Sequence, residues 1–499
     1  MGVEILEVEN TIVSVDDALE KLGGFSRFQL YITFMVLLSE IPVAANVLAL
    51  IFTGSSNVEF SCISNDSHFK MESISAHDPK ICNQNCTLVF DPVQSAVSIV
   101  QEWKLICDHA WLPDFLTSVQ MMGMMMGAII GSQFADAFGR KTAYYTNVAT
   151  FAAFGIVSGV ANNIYLFGAS RFLAGLGLGG FYCVYYIFLM EFLTPKWRTI
   201  AGCVSIWSVG IMTLALLAYL LKSWRYLTCA PSIAALSVLC FYPFVPETPR
   251  WLLCKERTAD AEKCFRQIAK MNGKPPLDAS VVESLQKAVL QERKTENAPS
   301  VCSWEIFTNP DLRIKILVFV FGWFTISFIY YSMSFNTKNL SGDPYLNVLY
   351  MGLVDLASWP SGVLFNNWLG RKKTFAGYLI FTAIFLVAKV VSTNFITFEG
   401  HPEIDAIISY IARFGLGGTW GVVTCFAAES FPTTCRTTAM GICALSANIG
   451  GMLAPEVVYL GTLLPSAPGL IFAGLTIVTA CSTYFLTETN KEPLANFAS

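Results

Sequence analysis

Residues 136–141 read Asp-Ala-Phe-Gly-Arg-Lys, and residues 367–372 read Asn-Trp-Leu-Gly-Arg-Lys. Each stretch joins two apolar segments long enough to cross a bilayer, which takes roughly 20 apolar residues in a helix. The glycine allows a tight turn, and the basic residues after it stay in the headgroup layer. Two matching loops of this kind indicate that the chain repeats one membrane-embedded unit.

A second pair of motifs follows in the same order. The motif of the first half begins at Arg171, and that of the second half begins at Arg413. Each motif continues through a glycine-rich stretch to a glutamate, a proline and an arginine, which are Glu191, Pro195 and Arg198 in the first half and Glu429, Pro432 and Arg436 in the second. The spacing from glutamate to arginine is seven residues in both. Matching motifs in one order predict two halves of equal architecture.

The composition indicates that lipid is the main solvent of this chain. Of its 499 residues 54% are hydrophobic and only 14% are charged, whereas soluble domains carry about 25% charged residues. The net charge of −4 gives no reason to expect a nucleic-acid partner. The apolar stretches predict an all-α membrane protein with 12 transmembrane helices in two six-helix, pseudo-symmetric bundles. The predicted spans lie near residues 28–53, 111–134, 142–160, 164–190, 199–221, 224–245, 313–335, 345–368, 373–393, 404–428, 437–459 and 464–486.

Lysine and arginine in the short loops predict the orientation, because cytoplasmic loops carry an excess of both. Loops such as 140–141 and 371–373 are basic, and so is most of the central interval, which places both termini in the cytoplasm. The predicted parts are a cytoplasmic N-terminus, a first bundle, a cytoplasmic helical linker, a second bundle and a cytoplasmic tail, at residues 1–27, 28–245, 246–312, 313–487 and 488–499.

The loop at 54–110 is then outside the cell, and its chemistry agrees with that side. It contains the glycan acceptor sequences of Asn65 and Asn85, which fit a plasma membrane address. It also contains four cysteines that we expect to form disulfides, Cys62, Cys82, Cys86 and Cys107. Four cysteines allow three pairings, and the sequence does not choose among them.

Carboxylates and arginines at the cytoplasmic ends of the spans predict a gate. We expect ion pairs between them to hold the inner face shut and to break when the two halves rock. The membrane topology accounts for the basic residues, but it does not require the carboxylates. The gating candidates are Asp136, Arg140, Glu191, Arg198, Glu429 and Arg436. Asn367 stands where the first half has Asp136, so the latch of the second half is expected to be weaker.

These motifs resemble the major facilitator superfamily over nearly the whole chain. The finer resemblance is to the organic ion transporter family, which carries organic cations, anions and carnitine. It is carried by the cysteine-bearing outer loop and by four further stretches: Asp16-Asp17-Ala-Leu-Glu20, Ser98-Ile-Val-Gln-Glu102-Trp103, Pro246-Glu-Thr-Pro-Arg250-Trp251-Leu and Glu488-Thr-Asn-Lys-Glu-Pro493-Leu. Sugar porters share the Pro-Glu-x-Pro-Arg element but lack the long outer loop.

Acidic residues within spans are candidates for substrate contact, because an unpaired charge in lipid is costly. Glu40 in span 1 suits a cationic ligand by its depth and sign, and Asp355 resembles the acidic position of cation-carrying relatives in span 8. Lys389 and Glu456 also lie within spans and receive no role.

Aromatic residues of spans 4 and 7 are the second group of candidates, since ring faces attract ammonium groups. Tyr182 and Tyr186 share a helix face and match aromatic positions of cation-carrying relatives, and alignment with the family places Tyr330, beside Tyr331, in the cavity. The family resemblance places Asn448 at a position where the cation carriers have aspartate. The anion and carnitine carriers tend to have arginine there. A neutral amide there leaves both a cation and a zwitterion open.

The sequence therefore predicts a secondary transporter that carries small organic cations or zwitterions, such as quaternary amines or carnitine-like solutes, by alternating access. It contains no nucleotide-binding phosphate loop, so we expect neither an ATP-driven pump nor an enzyme, and no cofactor. Facilitated diffusion is the expected driving mode, with sodium coupling as its alternative. The rival interpretations are a sugar-type porter, an organic anion carrier and a non-transporting receptor of the same fold.

Overall fold

The computed structural model describes residues 14–55, 61–63, 87–89, 98–198, 206–296, 306–395 and 403–489. Ten helices in these ranges are long and apolar enough to cross a membrane. The two other predicted spans correspond to the more polar helix Arg140–Gly159 and the shorter apolar helix Trp207–Leu221. The predicted all-helical membrane fold of two six-helix bundles is confirmed.

The first bundle contains spans 1 to 6, and span 1 is interrupted at Ala49, which separates its last helical turn. Their bounds are Arg27–Leu48 with Leu50–Thr53, Leu112–Phe138, Arg140–Gly159, Ile164–Met190, Trp207–Leu221 and Trp224–Leu239.

The second bundle contains spans 7 to 12 in the same arrangement. Their bounds are Pro310–Phe335, Pro344–Leu369, Arg371–Phe395, Glu403–Ser430, Thr433–Leu463 and Ala467–Ser482. Short 3₁₀ helices lie at Cys107–His109, Tyr242–Phe244, Asn336–Asn339 and Thr483–Phe485.

Glycines let spans 2 and 4 touch backbone to backbone. A Cβ atom added to Gly179 would lie 1.9 Å from the carbonyl oxygen of Met124, and one added to Gly127 would lie 2.0 Å from that of Leu176. Such contacts are how membrane helices gain packing energy where no hydrophobic effect acts between them. The second bundle repeats the device between Gly362 of span 8 and Gly418 of span 10.

The two repeated loops have the same local structure. Gly139 and Gly370 adopt φ angles of +106° and +94°, which favour glycine over residues with a side chain. The helix after each turn is capped by a distant carboxylate: Glu247 accepts a hydrogen bond from the backbone N–H of Lys141, and Glu488 accepts one from that of Arg371, each at 2.8 Å. Burial raises the pKa of the Glu247 carboxyl.

The helices outside the membrane lie against the first bundle. Three of them follow span 6, at Pro249–Cys254, Thr258–Asn272 and Ala279–Glu296, and one precedes span 1, at Val15–Lys21. The side chain of Asn272 accepts a hydrogen bond from the N–H of Phe28 at 2.9 Å and so caps span 1. Asp16 forms ion pairs with Arg198 and Arg250. The N-terminal helix is thereby tied to two later segments.

The loop between spans 1 and 2 contains a two-stranded antiparallel sheet, in which β1 (Ser61–Ile63) pairs with β2 (Thr87–Val89). Cys107 is disulfide-bonded and Cys62 lies in β1, while the pairing of the four cysteines stays a prediction. The positions of Asn65, Cys82, Asn85 and Cys86 fall outside the described residues, so their modifications stay predictions. A short helix at Ile99–Glu102 precedes span 2.

Replacing Gly179 with alanine tests the close helix contact. The added methyl group overlaps the backbone of span 2, and overpacking of this kind costs about 1–3 kcal/mol, so we expect a lower melting temperature in detergent. Gly474→Ala is the matched control, because a Cβ there meets nothing within 4 Å. Equal melting temperatures for the two variants would mean that spans 2 and 4 are not in direct backbone contact.

Candidate functional site

A cavity lies between the two bundles and has a volume of about 150 Å³. Six spans supply its walls. The lining residues are Glu40 of span 1, Tyr182 and Tyr185 of span 4, Trp207 of span 5, Tyr330 and Tyr331 of span 7, Trp359 of span 8 and Trp420 of span 10. The cavity is thus a cage of seven aromatic rings with one carboxylate.

Glu40 supplies the negative charge of this cage. Its side chain is 4% exposed, and its Oε2 accepts a hydrogen bond from the backbone N–H of Ile206 at 3.1 Å. Tyr185 is a hydrogen-bonding neighbour of the same carboxylate. None of the described residues that line the cavity is basic. Among the described lining residues the one ionisable group other than the tyrosines is therefore acidic.

The rings are held in place by direct contacts, one of which crosses the interface between the bundles. The Nε1–H of Trp207, in the first bundle, donates a hydrogen bond to the hydroxyl of Tyr330, in the second, at 2.9 Å. The ring centroids of Tyr182 and Trp207 are 5.8 Å apart, and those of Tyr330 and Tyr331 are 5.6 Å apart. Rings fixed in this way need little ordering when a ligand binds.

Asp355 lies directly behind the wall of the cavity and forms an ion pair with Arg413. The guanidinium donates to both carboxylate oxygens, at 2.8 Å and 2.7 Å, and both side chains are at most 2% exposed. The hydroxyl of Tyr330 donates to Asp355 at 2.8 Å, and Arg413 lies 4.3 Å from the centre of the Tyr330 ring. Asp355 thus meets the cavity through Tyr330, and its direct contact with a substrate stays a prediction.

Arg171 is the counterpart of Arg413 in the first bundle, and the side chains that it contacts among the described residues are neutral. Its guanidinium donates to Gln120 at 3.2 Å, to Asn46 at 3.3 Å and to Thr228 at 3.3 Å. Arg171 is fully buried, and among the described residues no carboxylate forms an ion pair with it. The two halves therefore share a buried arginine but differ in its electrostatic compensation.

The structure brings together four of the seven substrate-binding candidates: Glu40, Tyr182, Tyr330 and Tyr331. Tyr186 is 44% exposed and Asn448 is half-buried, and neither is among the residues that line the cavity.

The sequence analysis missed four residues of the cage, which are Tyr185 and the three tryptophans. Two of them carried a usable signal. Trp359 follows Asp355 by four residues and Trp420 follows Arg413 by seven, so each shares a helix face with a member of the buried ion pair.

Four of the six gating candidates form ion pairs that stay within their own bundle: Asp136, Arg140, Glu191 and Glu429. Arg140 binds Asp136 at 2.8 Å and Glu191 at 3.1 Å. In the second bundle Glu429 pairs with Arg371 at 2.9 Å, a partner that the sequence analysis did not assign. Arg198 pairs with Asp16, while Arg436 donates to the backbone carbonyl of Phe431 at 3.3 Å. Whether these pairs open and close during transport stays a prediction.

The bundles are joined at the face opposite the basic loops. Asp114 of span 2 and Lys338, just after span 7, lie 2.7 Å apart and are 7% and 8% exposed. Of the ion pairs between described residues, this is the only one that links the two bundles. Tyr345 stacks on Phe52 there, with centroids 5.5 Å apart. These two contacts close the interface between the bundles at this face.

Twelve spans in two halves, a central cavity and a seal at one face define a membrane transporter of the major facilitator class. The family model described as "Sugar (and other) transporter" matches residues 83–498. An organic cation transporter-like protein of Drosophila melanogaster is 30% identical over 96% of this chain and 91% of its own length. Solute carrier family 22 member 4 of Mus musculus is 29% identical over 78% of this chain and 70% of its own.

The chain therefore belongs to the major facilitator superfamily and, within it, to the organic ion transporter family that contains these relatives. It is a multi-pass transmembrane transporter and not an enzyme. An inward open structure of the xylose transporter XylE from E. coli superposes with a TM-score of 0.63 at 16% identity, covering 94% of this chain and 97% of that one. That likeness supports the fold.

Breaking the ion pair that seals the cavity should open it. Removing one partner of a buried pair leaves a charge without compensation, so Lys338→Met should favour separation of the bundles at this face. A cysteine placed at Met351, which is 1% exposed in the seam between the bundles, should then react with an impermeant maleimide at least about tenfold faster.

Two controls accompany this labelling experiment. Exchanging the charges, with Asp114→Lys and Lys338→Asp together, should restore slow labelling. Arg225→Gln removes an ion pair with Glu102 that lies within the first bundle, and it should leave the rate unchanged. Equal rates in Lys338→Met and the parent would contradict a sealing role for the pair.

Proposed function

We propose that this protein carries small organic cations across the membrane by alternating access, with the aromatic cage around Glu40 as the binding site. The observation that carries this proposal is the chemistry of the lining: seven rings, one carboxylate and no basic side chain among the described residues. Aromatic cages are the common means of binding quaternary ammonium groups, and each ring contributes about 0.5–2 kcal/mol depending on desolvation.

The size of the cavity favours a compact cationic group. Apolar protein cavities of about 150 Å³ hold a molecule the size of benzene. A group the size of tetramethylammonium fits such a space as a whole, and a larger solute such as tetraethylammonium fits by part of its ammonium group. Two relatives in Drosophila melanogaster are named as an organic cation transporter and an organic cation transporter-like protein, which agrees with this substrate class.

The other substrate classes find less support in the lining. An organic anion needs a cationic partner, but the guanidinium of Arg413 already forms an ion pair with Asp355. A carnitine-like zwitterion needs donors for its carboxylate, and Asn448 does not line the cavity. A sugar needs several amides or hydroxyls, whereas tryptophan and tyrosine rings dominate here. We therefore place cations first and zwitterions second.

The ion pair of Asp114 and Lys338, which joins the two bundles at one face, supports alternating access. Separation at the sealed face, with closure at the face of the basic loops, would expose the cage to the other side of the membrane. We assign the basic face to the cytoplasm, with both termini on that side, and the protein to the plasma membrane. Uptake driven by the substrate gradient and the membrane potential is the proposed mode, and sodium dependence is its tested alternative.

Neutralising Glu40 tests the proposed site. Opposite charges about 5 Å apart attract by about 3 kcal/mol at the effective dielectric constant typical of proteins, so Glu40→Gln should reduce uptake of radiolabelled tetraethylammonium by at least about tenfold. Glu456→Gln is the matched control, because this glutamate of span 11 is exposed and does not line the cavity. Surface biotinylation corrects both variants for expression.

The same assay discriminates the rival functions. Carnitine, an aryl anion and glucose are offered in parallel, with and without sodium, to cells that express the wild-type protein. Uptake of glucose or of the anion, but not of the cation, would overturn the proposed substrate class. Saturable cation uptake that is unchanged by Glu40→Gln would overturn the site, and no uptake of any solute would favour the receptor interpretation.

A further inference from the structure

A second groove lies on the outer surface of the second bundle, between spans 8, 9 and 10. It has a volume of about 280 Å³ and is separate from the aromatic cage. Its lining is apolar except at one end, and consists of Phe365, Leu369, Lys373, Thr374, Gly377, Tyr378, Phe381 and Phe414. The hydrocarbon of the bilayer surrounds this surface.

Gly377 forms the open floor of the groove. A Cβ added there would meet nothing within 4 Å, and Gly377 is exposed on the surface of span 9. It follows Arg371, the first residue of the span, by six positions, so it lies about 9 Å into the membrane from that end. Phe381 lies one helical turn deeper, and the aromatic and aliphatic walls between them suit an acyl chain.

Lys373 stands at the shallow end of the same groove. It is exposed, and in the described part of the chain it has neither an ion pair nor a side-chain hydrogen bond. Its neighbours differ: Arg371 pairs with Glu429, and Lys372 donates to the backbone carbonyl of Tyr484 at 3.1 Å. Trp368, which is 77% exposed in the last turn of span 8, has the position of an interfacial anchor.

We propose that this groove is a binding site for one anionic phospholipid, whose headgroup phosphate pairs with Lys373 and whose acyl chain lies over Gly377 toward Phe381. The charge of Lys373 selects the anionic head, and the apolar floor selects the chain. Anionic lipids are concentrated in the cytoplasmic leaflet, so the site fits the assignment of the basic face to the cytoplasm made above. Its occupancy does not depend on which solute is transported.

The first bundle lacks both features at the equivalent positions, although its loop motif is the same. Thr142 and Thr146 follow Arg140 by two and six residues, as Lys373 and Gly377 follow Arg371. The two halves thus share the glycine turn and the arginine that follows it. They differ at the two positions that would contact the lipid. Because Thr146 is also exposed, it provides a control position on a similar surface of the other bundle.

The test is native mass spectrometry of the purified full-length protein exchanged into mixed micelles with equal amounts of phosphatidylserine and phosphatidylcholine. We expect the wild-type protein to retain one phosphatidylserine in preference to phosphatidylcholine. Gly377→Phe fills the floor and should remove retention of both lipids at this site. Lys373→Gln should lower the preference for phosphatidylserine about fivefold while phosphatidylcholine is still retained, since one basic residue at a membrane surface contributes about that factor.

Thr146→Phe and Lys287→Gln are the matched controls, since the first adds the same ring to the other bundle and the second removes an exposed charge from a helix outside the membrane. Both should bind lipid as the wild type does. Retention of phosphatidylserine that is equal in Gly377→Phe, Lys373→Gln and the wild-type protein would overturn the proposal. The measurement involves no transport, so its failure leaves the cation cage untouched, and the failure of cation uptake leaves this site untouched.

Discussion

A charge inside a bilayer is stable only when another group compensates it, and the ion pair of Arg413 and Asp355 meets this constraint at the centre of the second bundle. The pair also orients Tyr330, which donates to Asp355 and accepts from Trp207 of the first bundle. One chain of polar contacts therefore runs from span 10 through spans 8 and 7 to span 5. The aromatic wall of the cavity rests on it, so the shape of the cage depends on a salt bridge that a ligand need not touch.

The two halves share their framework and differ at the midplane. At the basic face each half has a glycine turn, a capping glutamate and an arginine that binds a glutamate of its own bundle. At mid-depth the buried arginine of one half faces a carboxylate, whereas the arginine of the other faces amides and a hydroxyl. The turns, caps and ion pairs of the basic face are therefore repeated, and the compensation of the buried arginine at mid-depth is not.

The difference between what was predicted and what was missed follows the range of the interactions involved. Span length, the turns at Gly139 and Gly370 and the repeat depend on residues close together in sequence, and the sequence predicted them. The cavity depends on how each helix is rotated about its axis. Tyr182 and Tyr186 share a helix face by spacing, yet only Tyr182 lines the cavity, and the partner of Asp355 lies 58 positions away on another span. No local pattern contains that information.

The placement of the ion pairs has a consequence for the transport cycle. Among the described residues, the pairs at the basic face stay within a bundle, whereas the pair at the opposite face ties the two bundles together. In the proposed cycle this desolvated contact would have to break each time the carrier changes orientation, with or without solute. The rate of transport would therefore depend on the strength of this ion pair as well as on the affinity for the solute.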